Sequence, residues 1–502
     1  MTDSTKDDRL TLNRLLKWLG AELCASDITL SGIVTDSRRV SRGDLFLALP
    51  GFAVDGRDYI EAAVQAGAAA VLMEPFVSAQ GRKLPQVDVP LICVADLKDR
   101  SGELVDFALG CPSQKVKVIG VTGTNGKSST VHFLGSLLDR LSDGCGIMGT
   151  LGKGRVGQLD ETGNTTSDML TSHRFAAELR DASIGWMAME VSSHGLDQGR
   201  IDGLNIDTAI FTNLTREHLD YHGNMESYAD AKGLLFTRPG LKYAIFNSDD
   251  EWVAYVADKV HPSAQSLTFS LTKTSADVYL QGIQLLPDGM RARIFTPWGE
   301  GELNTPLLGR FNLSNLLGVI CALGCHGVAL ADVLEAVPSI ESVPGRLERY
   351  GSAHQPSVVI DYAHTSDALD SVLGALREHG SQRITCVFGC GGDRDKGKRT
   401  LMAQAACAGA DRVYLTSDNP RSEEPASIIR DALAGLGGEQ RKRVTVVVDR
   451  AEAIRQAIGT SGPGDVVLVS GKGHESYQEI KGVRYPFSDL EQVTMALSGR
   501  VA

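Results

Sequence analysis

The stretch VIGVTGTNGKSST, residues 118–130, decides the fold. It opens as an apolar, β-branched run, passes through two glycines, and reaches Lys127 and Ser128 at the head of a helical pattern that continues to Leu141. Strand, glycine-rich loop, lysine, hydroxyl and helix is the order of a phosphate-binding loop. The backbone amides of Gly123, Thr124, Asn125, Gly126 and Lys127 are expected to surround phosphate oxygens at the helix N-terminus, where the helix dipole also favours an anion. Lys127 is placed to neutralise β- and γ-phosphate charge, and the Ser128 hydroxyl to ligate Mg²⁺. The match to G-x-x-x-x-G-K-[ST] is incomplete, because Val121 stands where the first glycine belongs.

Working outward, WMAMEVSS, AIFTNL and YAIFN are further apolar runs, as buried strands of a parallel sheet require. Between about Asp277 and Leu303 the pattern alternates (VYLQGIQL, MRARIFT), which predicts an antiparallel appendage. Beyond ESVPGRLERY come SVVIDYAH, ITCVFGCGG, RVYLTSD, VTVVVD and DVVLVSGKG, with helical segments between them. That alternation predicts an open, doubly wound α/β domain with ligands beyond the carboxyl ends of its strands. DYAH, GCGGDR, SDNPR and SGKGHE all fall at such ends. Ahead of the phosphate loop, SGIVTDSR and GDLFLALPG read as short strands and AAVQAGAAAVLM as helix. The expectation is an α/β protein of three domains, 1–110, 111–342 and 343–502, the last Rossmann-like. No internal repeat or low-complexity segment is present.

Composition narrows the function. The formal charge of −12 argues against a general nucleic-acid binder. The nine cysteines show no zinc spacing, and buried thiols in a reducing cytosol are the expectation. MTDSTKDDRL does not read as a signal peptide, and no apolar run reaches about 18 residues. A cytoplasmic protein without membrane insertion is expected.

Three further segments bear on chemistry. In MEVSSHGLDQGR, Glu190 ends an apolar strand, where a carboxylate can reach Mg²⁺ beside a phosphate loop or simply face solvent. TNLTREHLDYHG brings His218 and His222 after another strand, either as ligands or as structural histidines. In SYADAKGLLF, Lys232 reads by its own chemistry as a surface residue with a snorkelling stem.

In order along the chain, TGTNGKSS, NTTSD, MEVSSHGLDQGR, TNLTREHLDYHG with its AK, GRFNLSN, PGR, DYAH, GCGGDRDKGKR, SDNPR and GKGHE resemble the Mur ligases, and specifically their diaminopimelate-adding branch. The resemblance spans almost the whole chain. It implies an N-terminal domain for a UDP-linked precursor, a central ATP-binding domain, and a C-terminal domain for the incoming amino acid. It further implies a monomer that adds meso-2,6-diaminopimelate to UDP-N-acetylmuramoyl-L-alanyl-D-glutamate in peptidoglycan precursor synthesis. ATP would phosphorylate the D-glutamate carboxylate, and the amine would displace phosphate from the acyl phosphate. Two anions must meet in that step, so cations are required: Lys127, Arg200 and two Mg²⁺ ions.

By the same resemblance, Ser128 and Glu190 hold one Mg²⁺ and His218 the second. Lys232 is carbamylated, which turns a cation into a carboxylate-like ligand and reverses the surface reading. Ser129, Asn312, Arg346 and Asp361 complete the ATP side, with Arg346 coupling domain closure to site assembly. The uridine side matches Thr35, Ser37 and Arg38 in TDSR and the loop with Phe52, Ala53 and Val54, whose side chains depart from the family's polar pattern. Asn164, Thr165, Thr166, Ser192, Gln198 and Arg200 match positions for the muramoyl-dipeptide.

TSDNPR is expected to read the amino acid, because diaminopimelate carries a distal carboxylate that L-lysine lacks. Arg421 offers a planar fork for that carboxylate, and Asp418 and Asn419 are expected to take the ammonium. Pro420 pre-sets the turn, and Arg394, Gly471 and Glu475 match the remaining contacts. Rival readings are an L-lysine-adding relative, a folylpolyglutamate-synthetase-like ligase, a P-loop switch or motor, and a nicotinamide-binding dehydrogenase. The folate ligase has no reason for SDNPR together with NTTSD. The switch or motor requires no amino acid, and FGCGGDR is not the G-x-G-x-x-G of a dehydrogenase.

Overall fold

The computed structural model describes residues 9–51, 54–76, 84–352 and 354–499. Two compact units are distinguished, one of Met1–Lys127, Leu134–Phe246 and Asp250–Leu267, the other of Ser128–Phe133, Asn247–Asp249 and Thr268–Ala502.

The first unit begins with a parallel sheet ordered Ile33–Val34, Leu45–Ala48, Ala70–Met73, Leu91–Cys93. Its second and third strands are buried along their whole length. Here the helical expectation for AAVQAGAAAVLM fails in part. The helix stops at Gln65, Gly67 turns with φ +112°, and Ala70–Met73 becomes a central strand. Burial between two neighbouring strands overrides alanine's helix preference, as tertiary context commonly does.

The phosphate-loop strand, Lys117–Thr122, lies between Trp186–Glu190 and Ile206–Phe211 in a second parallel sheet. Cys145–Gly149 pairs beyond the former and Tyr243–Asn247 beyond the latter. Register matters: Val121 pairs with Glu190, and Thr122 with Phe211. MEVSS and TNLT therefore leave the sheet on either side of the glycine-rich loop. Both faces of these strands are covered, with Val118, Met187, Met189, Phe211, Phe236 and Phe246 in one core. Each such side chain contributes about 1.5–3 kcal/mol by leaving water, which fixes the platform on which the loop stands.

The second unit contains the expected antiparallel appendage, Val278–Leu286, Gly289–Thr296 and Gly299–Thr305. Its other sheet is ordered Glu348–Tyr350, Ser357–Asp361, Asp465–Ser470, Arg383–Cys390, Arg412–Ser417, Val444–Val446. The last five strands are parallel, and Glu348–Tyr350 adds an antiparallel edge that the apolar pattern did not announce. Every segment expected at a carboxyl end follows its strand. The hairpin Tyr477–Ile480 with Val483–Pro486 comes after GKGHE. Five cysteines are buried, whereas Cys93 is exposed, so the expectation of uniformly buried thiols does not hold.

Candidate active site

At the phosphate loop, Gly123 has φ +151° and Gly126, capping helix Lys127–Leu141, has φ +85°. A Cβ on Gly123 would lie 1.9 Å from Thr212 Oγ1, so only glycine permits this approach. TNLT clamps the loop. The amide of Thr124 donates to the Asn213 carbonyl at 2.8 Å, that of Asn125 donates to Asn213 Oδ1 at 2.9 Å, and Thr212 Oγ1 donates to the Asn125 carbonyl at 2.6 Å. Two of the amides assigned to phosphate from the sequence are thus spent on shaping the loop. Thr212 and Asn213 shape the loop, a part that sequence reasoning missed, although their place at a strand end beside the loop was the available signal.

Lys127 Nζ donates to the carbonyls of Gly123 and Thr124, each at 2.9 Å. Lys232 Nζ donates to the same Gly123 carbonyl at 2.8 Å and lies 4.4 Å from the Tyr228 ring centre. Lys232 is 1% exposed, so the surface reading is overturned. Burial, reinforced by nearby Lys127, drives its pKa well below that of a free lysine. Carbamylation consumes a neutral amine, the form that this burial favours.

Glu190 is also buried and accepts from the Thr150 amide at 2.8 Å. Gly149 makes room for it, since a Cβ there would lie 2.2 Å from Glu190 Oε1. Thr150 Oγ1 donates to Thr165 Oγ1 at 3.0 Å, and Thr166 Oγ1 lies 3.0 Å from both the Glu190 carbonyl and Ser192 Oγ. Arg200 donates to the Thr166 carbonyl at 2.8 Å and, through Nη2, to Gln198 Oε1 at 2.7 Å. Thr165, Thr166, Ser192, Gln198 and Arg200 thereby form one network with Glu190. The Asn164 carbonyl accepts from Thr162 Oγ1 at 3.2 Å.

His218 has φ +56° and a half-exposed ring, with Nε2 3.7 Å from Glu217. Partial burial lowers its pKa, and Lys127 and Lys232 act in the same direction against Glu217 and Asp220. It stays neutral near pH 7 and can offer a lone pair to a metal. His222 instead contacts Ser193 Oγ at 2.9 Å and stacks on Tyr228, a structural role.

Thr35, Ser37 and Arg38 stand at the N-terminal sheet, where Asp36 caps the turn Ser37–Arg39 and pairs with an exposed Arg38 at 2.8 Å. Phe52 and Ala53 lie outside the described residues, and neighbouring Val54 is exposed.

In the second unit, Asn312 donates to the Leu308 carbonyl at 2.9 Å, at the start of helix Arg310–Cys325. Asp361 accepts from the amides of Leu347 at 2.8 Å and Ala363 at 2.7 Å, one on each oxygen. Its position next to Arg346 therefore makes it a holder of the PGR turn. Burial raises its pKa although Arg346 opposes the shift. The Arg346 guanidinium sits 4.7 Å above the Tyr362 ring. Gly345, with φ +68°, packs on the GKGHE backbone so tightly that a Cβ would meet His474 N at 2.3 Å.

The residues expected from the sequence to meet the amino acid converge. Arg421 has φ +50° and its Nη1 donates to the Gly392 carbonyl at 2.7 Å, which docks SDNPR onto GCGGDR. Gly391 lies against the same guanidinium and Arg394, while a Cβ on Gly392 would lie 1.9 Å from the Pro420 carbonyl. Gly471, with φ +116°, lies against the Asp418 carboxylate. Asn419 Nδ2 donates to Glu475 Oε2 at 2.9 Å, and its Oδ1 accepts from the Glu479 amide at 2.9 Å and from Lys472 at 3.0 Å. Both lone pairs of that oxygen are used, so Asn419 faces a ligand as a donor and has no lone pair left for a ligand's ammonium.

The first unit thus carries a glycine-rich phosphate loop with a buried carboxylate and a buried lysine next to it, and the second carries a polar cradle at the carboxyl end of a Rossmann-like sheet. Mur ligase domain profiles match residues 29–108 (Mur ligase family, catalytic domain), 121–323 (Mur ligase middle domain) and 345–473 (Mur ligase, glutamate ligase domain). The chain belongs to the Mur ligase family and is an ATP-dependent, peptide-bond-forming ligase.

Within that family it is 47% identical to the UDP-N-acetylmuramoyl-L-alanyl-D-glutamate–2,6-diaminopimelate ligase of Pseudomonas aeruginosa, over 97% of this chain and 98% of that protein. It is 43% identical to the Coxiella burnetii protein of the same name, over 97% and 99% of the two chains. A solved structure of a ligase bearing that name superposes with a TM-score of 0.74 at 35% identity, covering 97% of this chain and 99% of the other. Among the described residues, no helix is long and apolar enough to cross a membrane.

Proposed function

We propose that the protein joins meso-2,6-diaminopimelate to UDP-N-acetylmuramoyl-L-alanyl-D-glutamate, acting as a cytoplasmic monomer in peptidoglycan precursor synthesis. The observation that carries this reading is the SDNPR turn. It gathers Arg421, Arg394, Asp418, Asn419, Glu475 and Gly471 at one end of a sheet, a set suited to a carboxylate and an ammonium borne on one carbon. The diaminopimelate ligases of Pseudomonas aeruginosa and Coxiella burnetii support the same substrate.

A carboxylate and an amine do not condense directly, because oxide is a poor leaving group. The D-glutamate carboxylate attacks the γ-phosphorus of ATP, the bond to the bridging oxygen breaks, and ADP leaves. The neutral amine of diaminopimelate then attacks the acyl-phosphate carbonyl. Its proton is lost, the C–O bond to phosphate breaks, and inorganic phosphate departs. Lys127 and Arg200 offset the repulsion between carboxylate and triphosphate. Thr165, Thr166, Ser192 and Gln198 bind the muramoyl-dipeptide, Thr35 and Ser37 the uridine side, and Ser129, Asn312 and Arg346 the nucleotide.

Among the described residues, no group of three or more His, Cys, Asp or Glu side chains converges on one point. Mg²⁺ tolerates this, since it uses one or two carboxylates together with waters and substrate phosphates. Ser128, Glu190 and His218 supply part of such a set, and carbamylation of the buried Lys232 supplies another anionic oxygen. Mg²⁺ held there neutralises phosphate charge.

The test is product analysis with ATP, the UDP-dipeptide and diaminopimelate, using D-glutamate labelled with heavy oxygen in its carboxylate. A UDP-tripeptide with label passed to the released phosphate is expected. Tripeptide formed without label transfer would refute the acyl phosphate.

A further inference from the structure

Lys472, within GKGHE, has no assigned part in the reaction, yet its side chain has no exposed surface. Its Nζ reaches the Tyr477 carbonyl at 2.8 Å, Asn419 Oδ1 at 3.0 Å, Glu475 Oε2 at 3.1 Å and Asp418 Oδ1 at 3.3 Å. Three of those four partners belong to the amino-acid cradle. An ammonium taken wholly out of water is costly unless paired and hydrogen-bonded, and here the pairing is made with the groups that meet the substrate.

Two consequences follow from that placement. The first concerns charge. Asp418 and Glu475 together carry two negative charges, and Lys472 cancels one of them. A single ammonium from the ligand then neutralises this side of the cradle, while Arg394 and Arg421, the latter 3.8 Å from Glu479 Oε2, face the distal carboxylate. The second concerns direction. Lys472 and the Glu479 amide hold Asn419 Oδ1, and Glu475 takes one Nδ2 hydrogen. The other Nδ2 hydrogen is left to donate to an anion. The hairpin after GKGHE secures the arrangement from behind: Gln478 Nε2 donates to the Asp418 carbonyl at 2.6 Å, and the Arg421 amide donates to the Glu479 carbonyl at 3.0 Å.

We propose that Lys472 is a positioning residue for amino-acid specificity. It sets the cradle's charge to accept one ammonium beside one carboxylate and turns Asn419 into a carboxylate donor. This inference rests on the functional reading above and names how its specificity is built.

The test compares full-length wild type with Lys472→Met, Lys472→Gln, Asp418→Asn and the double variant Lys472→Met/Asp418→Asn. KM and kcat are measured separately for diaminopimelate and ATP, and L-lysine is measured as the alternative amine. Stranding two enclosed carboxylates is expected to raise KM for diaminopimelate about tenfold or more. KM for ATP should stay within about twofold, and the preference over L-lysine should shrink. Lys472→Gln should fall between Lys472→Met and wild type. The double variant should recover part of the Lys472→Met loss, because the charge count is restored.

Unchanged diaminopimelate KM in Lys472→Gln overturns the inference even if Lys472→Met does not fold. So do parallel losses for ATP and diaminopimelate, or single-variant losses that simply multiply in the double variant. Wild-type enzyme that binds ATP but never uses diaminopimelate overturns the functional reading, and this inference with it. Normal wild-type turnover with any of the preceding results overturns the inference alone.

Discussion

Replacing Gly123 with alanine isolates what the phosphate loop's shape contributes. Gly123 holds φ +151°, and the added Cβ would lie 1.9 Å from Thr212 Oγ1 and 3.1 Å from both the amide nitrogen and the carbonyl oxygen of Asn213. Nothing flexible stands in the way: Thr212 is buried, and its hydroxyl already donates to the Asn125 carbonyl at 2.6 Å. Forcing a side chain into that backbone region costs about 1–3 kcal/mol. Displacing Thr212 forfeits a hydrogen bond worth about 1 kcal/mol. The sum, about 2–4 kcal/mol, corresponds to a loss of roughly 30- to 1000-fold in kcat/KM for ATP. Coupled ADP release across ATP concentrations measures it, and KM for diaminopimelate serves as the internal control. A Gly123→Ala enzyme with wild-type kcat/KM for ATP would refute the claim that TNLT fixes the loop through this contact.

Arg421→Ala should lower kcat/KM for diaminopimelate by about 2–4 kcal/mol, the usual cost of losing one partner of a buried charge pair, while ATP affinity measured by calorimetry is retained. Lys232 should carry one bound carbon dioxide in a native mass spectrum, lost on acidification. Lys232→Arg, which has no neutral amine to modify, should lose at least about a hundredfold in kcat if the carbamate serves the metal. Burial holds the pKa values of His132 and His474 at about 4, below the ordinary histidine value of 6.5, with His474 opposing protonation of His132 and Arg346 that of His474. Between those limits the unfolded chain binds more protons than the folded one. Stability is therefore complete above pH 6.5 and is lost as pH falls towards 4, by up to about 3 kcal/mol per histidine. Urea unfolding across that window should show the slope, and His132→Gln or His474→Gln should flatten it.

Most of the architecture is legible in the sequence because buried parallel strands must be continuously apolar and must end where ligands bind. WMAME, IDTAIF and DVVLVS each form a strand, and each leads into one of the motif segments at its carboxyl end. AAVQAGAAAVLM misleads, since alanine and valine runs fit a helix or a central strand and only the neighbouring strands decide. Lys232 misleads by its own chemistry, because nothing local distinguishes a snorkelling lysine from one folded over a tyrosine ring. The order of motifs corrects it. Asn213 and Lys472 stay hidden for a related reason: each acts through residues far away in sequence, Asn213 by clamping Thr124 and Asn125, Lys472 by pairing with Asp418 and Asn419. Asp361 is visible as a carboxylate at a strand end. Its occupation by two backbone amides, which makes it a brace for Arg346, requires the fold.

The most direct test of the central claim is ADP release by the purified protein with substrates omitted in turn. Release is predicted only when UDP-N-acetylmuramoyl-L-alanyl-D-glutamate and meso-diaminopimelate are both present, with L-lysine a poor replacement for the second. Steady ATP hydrolysis without either substrate, or turnover with L-lysine equal to that with diaminopimelate, would contradict it.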